Sequence, residues 1–219
     1  MGKEIDLLIK YPRAKRDLTK RLESKSEEVR SIARKFDKEF FDGERKFGYG
    51  GFSYNSKYWS EVVKDFSNYY NLKHDSKILD VGCAKGFMLY DFYKLNSNYD
   101  LYGIDISKYA IDNSLPEVKN KLQVANATKL PYEDNFFDLV ISINTIHNLE
   151  KSECAIALKE ISRVSKEKAF ITVDAYRNDE EKKRMYDWNL TAKTIMSVDD
   201  WINFFRNNNY NGDFFWFIP

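Results

Sequence analysis

Cysteine and histidine are scarce in this 219-residue chain, with two of each, and neither charge is in surplus. Cys83 and Cys154 are too few for a disulfide framework and suit reduced thiols in a cytoplasm. Two histidines, with no H-x-x-x-H or C-x-x-C spacing, are poor material for a transition-metal site, so no metal is expected. Lys and Arg number 35 against 34 Asp and Glu, a formal net charge of +1. That balance argues against a protein built to grip nucleic acid or an anionic membrane, and neither partner is expected. No apolar run approaches the roughly 20 residues of a membrane span, and mean hydropathy is −0.61. The first six residues offer neither an apolar signal region nor a myristoylation pattern. A soluble, cytoplasmic chain is the plain expectation. Aromatics, by contrast, are plentiful at 16% of residues within a 43% hydrophobic total, enough for a full core.

The length fits one domain with a short appended segment, and the texture changes near residue 75. Residues 1–74 read as an N-terminal helical segment with an aromatic, glycine-rich lid. Helical spacing is expected over 27–40, opened by Ser26, and over 56–70, opened by Ser56. The lid between them, 41–54, contains Gly48, Tyr49, Gly50, Gly51 and Tyr54. The basic residues of 10–25, including Lys15, Arg16, Arg21 and Lys25, read as a solvated helix face or, alternatively, a phosphate-seeking arm. Residues 75–219 alternate strand and helix. Strands are expected at 77–81, 101–105, 122–125, 138–143, 169–173 and 214–218, with intervening helices that include 86–95 and 153–164. Such alternation implies parallel pairing and an α/β, Rossmann-like doubly wound, mostly parallel sheet with helices on both faces.

In that fold ligands sit beyond the carboxyl ends of the strands. The first strand runs into Asp80-Val81-Gly82-Cys83-Ala84-Lys85-Gly86. Gly82 permits a sharp turn, Gly86 a close helix, and the helix N-terminus offers free amides to an anionic group. Asp105 ends the second strand 23 positions after Gly82, where a carboxylate can accept hydrogen bonds from a ribose diol. Together these describe a site for an adenosine-containing ligand.

Ile78 to Gly86, with G-x-A-x-G small residues, resembles the first motif of class I S-adenosylmethionine-dependent methyltransferases. Leu101 to Ser107 is similar to the second. Asn126-Ala127-Thr128, Leu130-Pro131-Tyr132 and Asn135 to Val140 resemble the third and fourth. The resemblance covers about residues 75 to 175. Two departures are Ala84, where a positive φ would be strained, and Asn126, where the family usually has Asp. The resemblance implies S-adenosyl-L-methionine as cofactor and S-adenosyl-L-homocysteine as product. Asp80, Gly82, Cys83, Ala84 and Gly86 would border the methionine part, Asp105 and Ile106 the ribose, Asn126 and Ala127 the adenine, with Asn144 nearby. The family's complete sheet ends in two strands, one antiparallel. Here only 214–218 is visible, so the sheet edge calls for an extension or a partner.

His147, at the exit of the fourth strand, is the candidate general base, with a structural role the alternative. Tyr49, Tyr54, Tyr176 and Arg177, together with His147, are the candidate acceptor-binding residues. The expected activity is methyl transfer to a small-molecule acceptor, foremost O-methylation, conceivably in surface-sugar or polysaccharide biosynthesis. An adenosyl-ligand-binding protein without transfer activity, an N- or C-methyltransferase and a nicotinamide oxidoreductase are the alternatives.

Overall fold

The apolar runs after residue 75 form seven strands: β1 (Lys77–Val81), β2 (Asp100–Asp105), β3 (Leu122–Val124), β4 (Leu139–Ile143), β5 (Ala169–Tyr176), β6 (Met196–Ser197) and β7 (Asp213–Phe217). This computed structural model describes residues 2–13, 18–50 and 52–219. Lys15, Arg16 and Gly51 lie outside the described residues. The strand order is β3-β2-β1-β4-β5-β6, with β7 also pairing β5. Every strand pairing is parallel.

The two-residue period of the strands sorts their side chains onto two faces. Ile78, Leu139, Ile141 and Phe170 pack with Val62, Val63 and Phe66 of α4 (Ser60–Tyr69) and with Met88, Leu89 and Phe92 of α5 (Phe87–Leu95). Leu79, Val81, Val140, Ile171 and Val173 face Ala157, Leu158 and Ile161 of α7 (Lys151–Val164) and Trp201 and Phe205 of α9 (Val198–Asn207). Helices on both faces complete the doubly wound class expected. Burial of both faces also explains why β1 and β4 read as continuous apolar runs.

The N-terminal segment departs from expectation in its helices. The single helix expected over 27–40 is two, α2 (Glu27–Ala33) and α3 (Lys38–Asp42). Phe36 takes a left-handed φ of 50°, and the Asp37 carboxylate accepts the Lys38 amide at 2.8 Å, starting a new helix. Ser26 caps α2 as expected, accepting from the Val29 amide. α4 begins at Ser60 rather than Ser56, whose carbonyl, not its hydroxyl, meets the Ser60 amide. α1 (Leu18–Ser24) lies against α8 (Asp179–Trp188).

At the other end, β5 continues three residues past its expected end, so Asp174 to Tyr176 are strand rather than loop. β7 pairs directly with β5, and the described residues include no antiparallel strand. The expected edge extension is the chain's own start. Phe214 donates to the Lys3 carbonyl and accepts from the Ile5 amide, both at 3.0 Å, forming a bridge at Glu4. An aromatic cluster away from the lid gathers Tyr102, Tyr132, Phe136 and Phe137.

Candidate active site

The turn after β1 is held from the side by β2. Gly82 (φ 88°), Ala84 (φ 49°) and Gly86 (φ 77°) all take positive φ. A Cβ at Gly82 would overlap the Thr145 side chain after β4, so that position is closed to any other residue. Ala84 carries the strain that its missing glycine implies. Its amide donates to Asp105 Oδ2 at 2.8 Å, while Asp105 Oδ1 accepts from the Ser107 amide at 2.8 Å. One carboxylate therefore ties the glycine turn to the start of α6 (Lys108–Asp112).

Asp80 and Asp105 are both buried. Burial pushes the Asp105 carboxyl up, against the amides of Ser107, Ala84 and Ile106 that hold it down. Among the described residues Asp80 faces Asp105 and has no ion pair. Burial first, and that neighbour second, push it up to about 8, so it keeps its proton at neutral pH. Burial also raises the Cys83 thiol well above its ordinary range, which suits a spacer and not a nucleophile.

The rim continues along the strand ends. Ile106, large and apolar, is 56% exposed immediately after Asp105. Asn126 is exposed and its Oδ1 accepts from Thr128, while Ala127 beside it is buried. Asn144, at φ 52°, is fixed by Thr172, whose hydroxyl donates to Asn144 Oδ1 and accepts its amide, each at 2.9 Å.

His147 sits in a short turn, Ile146–Asn148, and is buried. Its Nδ1 accepts the Asp174 amide at 2.8 Å, so the neutral ring carries its proton on Nε2. Burial lowers its pKa, with the Asp174 carboxylate pulling the other way. Asp174 Oδ2 accepts from Asn189 Nδ2 at 2.7 Å. The amide oxygens of Asn148 and Asn189 are buried with no hydrogen-bond donor among the described residues. The His147 carbonyl accepts the amides of Lys193 and Thr194.

The N-terminal segment is fastened over this region by side chains. Lys85, inside the glycine turn and buried, reaches both Asp42 carboxylate oxygens at 2.6 Å and the Phe52 carbonyl at 3.0 Å. Despite partial burial, Lys85 and Tyr109 hold Asp42 below the usual carboxylate range. Tyr49 accepts the amides of Leu190 and Thr191. Arg21 is buried, donates to the carbonyls of Lys46 and Gly48, and lies over the rings of Tyr49 and Trp188. It is therefore neither a solvated face nor a phosphate-seeking arm, because burying its guanidinium required those carbonyls.

Tyr54 bonds Asp91 at 2.7 Å on α5. Tyr176, under Lys182, ends β5, and Arg177 is exposed and pairs with Glu4 at 3.4 Å. No hydrogen bond or ion pair among the described residues joins Tyr54, Tyr176 or Arg177 to His147. The sequence reading gave Lys85 and Thr145 no contacts of their own. Lys85 and Thr145 stand inside motifs already recognised, but only packing shows that they touch other elements.

Among the described residues no helix is long and apolar enough to cross a membrane. A methyltransferase-domain family matches residues 72–209. The chain is 35% identical over 113 residues to phosphoethanolamine N-methyltransferase 3 of Arabidopsis thaliana, 49% of this chain and 22% of that protein. It is 29% identical over 136 residues to the tRNA (carboxymethyluridine(34)-5-O)-methyltransferase of the same plant, 60% of this chain and 31% of that one. The chain thus spans less than a third of either relative. The YcgJ protein of Bacillus subtilis shares the fold, with a TM-score of 0.55 and 18% identity over 67% of this chain and 66% of that one. With the glycine turn, the acidic end of β2 and the parallel sheet in place, the chain belongs to the class I S-adenosylmethionine-dependent methyltransferases.

Proposed function

We propose that this chain transfers a methyl group from S-adenosylmethionine to a small acceptor that lies between the strand ends and the N-terminal segment. The observation that carries this reading is the pair of buried carboxyls beside the glycine turn. Asp80 holds a proton and has no ion pair among the described residues, while Asp105 is fixed by backbone amides. That donor set fits a ligand with an ammonium group and a ribose diol, and the exposed Ile106 suits one face of a purine. When bound, S-adenosylmethionine supplies an activated methyl for in-line displacement. The chain's residues supply alignment and exclude water. Asp105 and the Gly82–Gly86 turn orient the cofactor, and Asp80 releases its proton to meet an ammonium. Lys85 keeps the N-terminal segment on the turn.

O-methylation with His147 as base is the expectation that the ring's geometry weakens. Its only lone-pair nitrogen already accepts the Asp174 amide, so Nε2–H donates. A donor can position an acceptor but cannot deprotonate it, which favours a nucleophile such as an amine that needs no base from His147. The likeness to a phosphoethanolamine N-methyltransferase points the same way.

Calorimetry with S-adenosylmethionine, S-adenosylhomocysteine and NAD, followed by methyl transfer across amine and hydroxyl acceptors, tests the proposal. The adenosyl ligands bind and amines turn over, and the kcat profile shows no histidine limb between about pH 5 and 8. Binding of NAD alone, or adenosyl binding without turnover on any acceptor, overturns the reading.

A further inference from the structure

Between α1–α2 and the segment that follows α8 lies a cavity of about 330 Å³, lined among others by Lys25, Arg30, Arg34, Glu150, Asn189 and Lys193. Its cations are oriented mainly by neutral groups. Lys25 donates to the Tyr186 carbonyl, Arg30 Nε to the Leu190 carbonyl at 3.3 Å and Arg34 Nε to the Thr191 carbonyl at 3.4 Å. A carbonyl fixes a cation in place without neutralising it. Among the described residues two carboxylates form ion pairs with the four cations, Glu27 with Arg34 at 3.1 Å and Glu150 with Lys193 at 3.4 Å, which leaves Lys25 and Arg30 without one. Asp187, near Lys25, is engaged with Lys183 at 2.6 Å. Burial and the neighbouring Arg30 accordingly lower the Lys25 ammonium.

A second, independent feature marks the same cavity. Asn189 lines it, its Nδ2 donates to Asp174, and its fully buried Oδ1 has no donor among the described residues. An unmade bond at a buried oxygen is costly. Asn189 also connects the cavity to His147, because both hold Asp174. Lys193, which also lines the cavity, donates its amide directly to the His147 carbonyl.

We propose that this cavity binds the anionic end of the acceptor, a phosphomonoester on a small metabolite. The inference rests on the methyl-transfer reading for its identification of the occupant as the acceptor. Two cations without an ion pair among the described residues, Lys25 and Arg30, match a phosphate dianion better than a single carboxylate, and guanidinium forks favour phosphate geometry. A concave pocket in a chain of net charge +1 suits a small molecule. A nucleic-acid strand would need an extended basic track.

The test is calorimetry at fixed ionic strength and about pH 7.5, above the second phosphate pKa of about 6. Inorganic phosphate is the probe, with acetate and a short RNA as comparisons. Wild type, Arg30→Gln and Lys193→Gln are measured, and S-adenosylhomocysteine is titrated into each. Phosphate binds the wild type at one site, acetate binds more weakly, and each substitution weakens phosphate about tenfold while leaving S-adenosylhomocysteine affinity unchanged. Equal phosphate affinity in wild type and both variants overturns the inference. So does acetate binding as tightly as phosphate, or RNA displacing it. If phosphate fails while S-adenosylhomocysteine binds, this inference falls alone. If S-adenosylhomocysteine fails while phosphate binds, the methyl-transfer reading falls and takes the acceptor assignment with it.

Discussion

At the carboxyl ends of β1 and β2 the chain is held by backbone amides on one carboxylate, with Ala84 and Asp105 only 21 positions apart. The N-terminal segment opposite is held by long cationic side chains on main-chain carbonyls, and Arg30 reaches Leu190 across 160 positions. The first arrangement is short, stiff and shared with the strand ends themselves. The second depends on flexible side chains and on burying guanidinium groups, so it can loosen without dissolving the sheet. One wall is suited to hold a constant cofactor, the other to be altered for a particular acceptor.

The largest expected effect breaks the first wall. Asp105→Ala removes the acceptor for two amides as well as the proposed ribose partner, and should weaken S-adenosylhomocysteine about 100-fold or more by calorimetry. Arg21→Met attacks the second wall. It deletes two hydrogen bonds from a buried cation and should cost about 2–3 kcal/mol in urea unfolding, with S-adenosylhomocysteine affinity retained. Loss of cofactor binding in Arg21→Met would show that the two walls are not separable.

Asp80 sharpens the comparison through protons. Its folded pKa of about 8 lies above the ordinary 3.8, so near pH 7 the folded chain holds more proton there than the unfolded one. Binding of an ammonium-bearing cofactor should release that proton, seen as a buffer-dependent heat that Asp80→Asn abolishes. The sign for stability is equally definite. A carboxyl raised in the folded state costs nothing below about pH 4, and its cost grows as pH rises to about 8. Asp80→Asn should therefore outlast the wild type at pH 8 and lose that advantage near pH 4. The smallest effect belongs to Lys85→Met, which cuts the tie from the glycine turn to Asp42 and Phe52. Amides of 42–50 should exchange faster with solvent, and cofactor affinity should fall only a few-fold.

This division also explains what could be read from the sequence. The sheet, the glycine turn, Asp105 and the Ser26 cap depend on local patterns: apolar period, small residues at a turn, a hydroxyl before a helix. The break at Phe36 depends on a backbone conformation that residue type disfavours, so helical spacing ran straight through it. Arg21 and Lys85 resemble surface charges until the carbonyls and carboxylate that receive them are located. Tyr49 was legible as an aromatic in a glycine-rich loop, but its partners, the amides of Leu190 and Thr191, stand about 140 positions away. His147 was found by position. Its tautomer follows from an amide on β5 that no spacing rule specifies.

The pairing of Lys3 to Ile5 with Phe214 also sets an order of events on the ribosome. The Lys3 amide and the Asp213 carboxylate that receives it are separated by 210 positions. Lys3 must therefore wait for a residue made 210 positions later before either has its partner. Until β7 emerges, β5 presents an open edge on that side of the sheet, and a nascent chain in that state is exposed to mispairing.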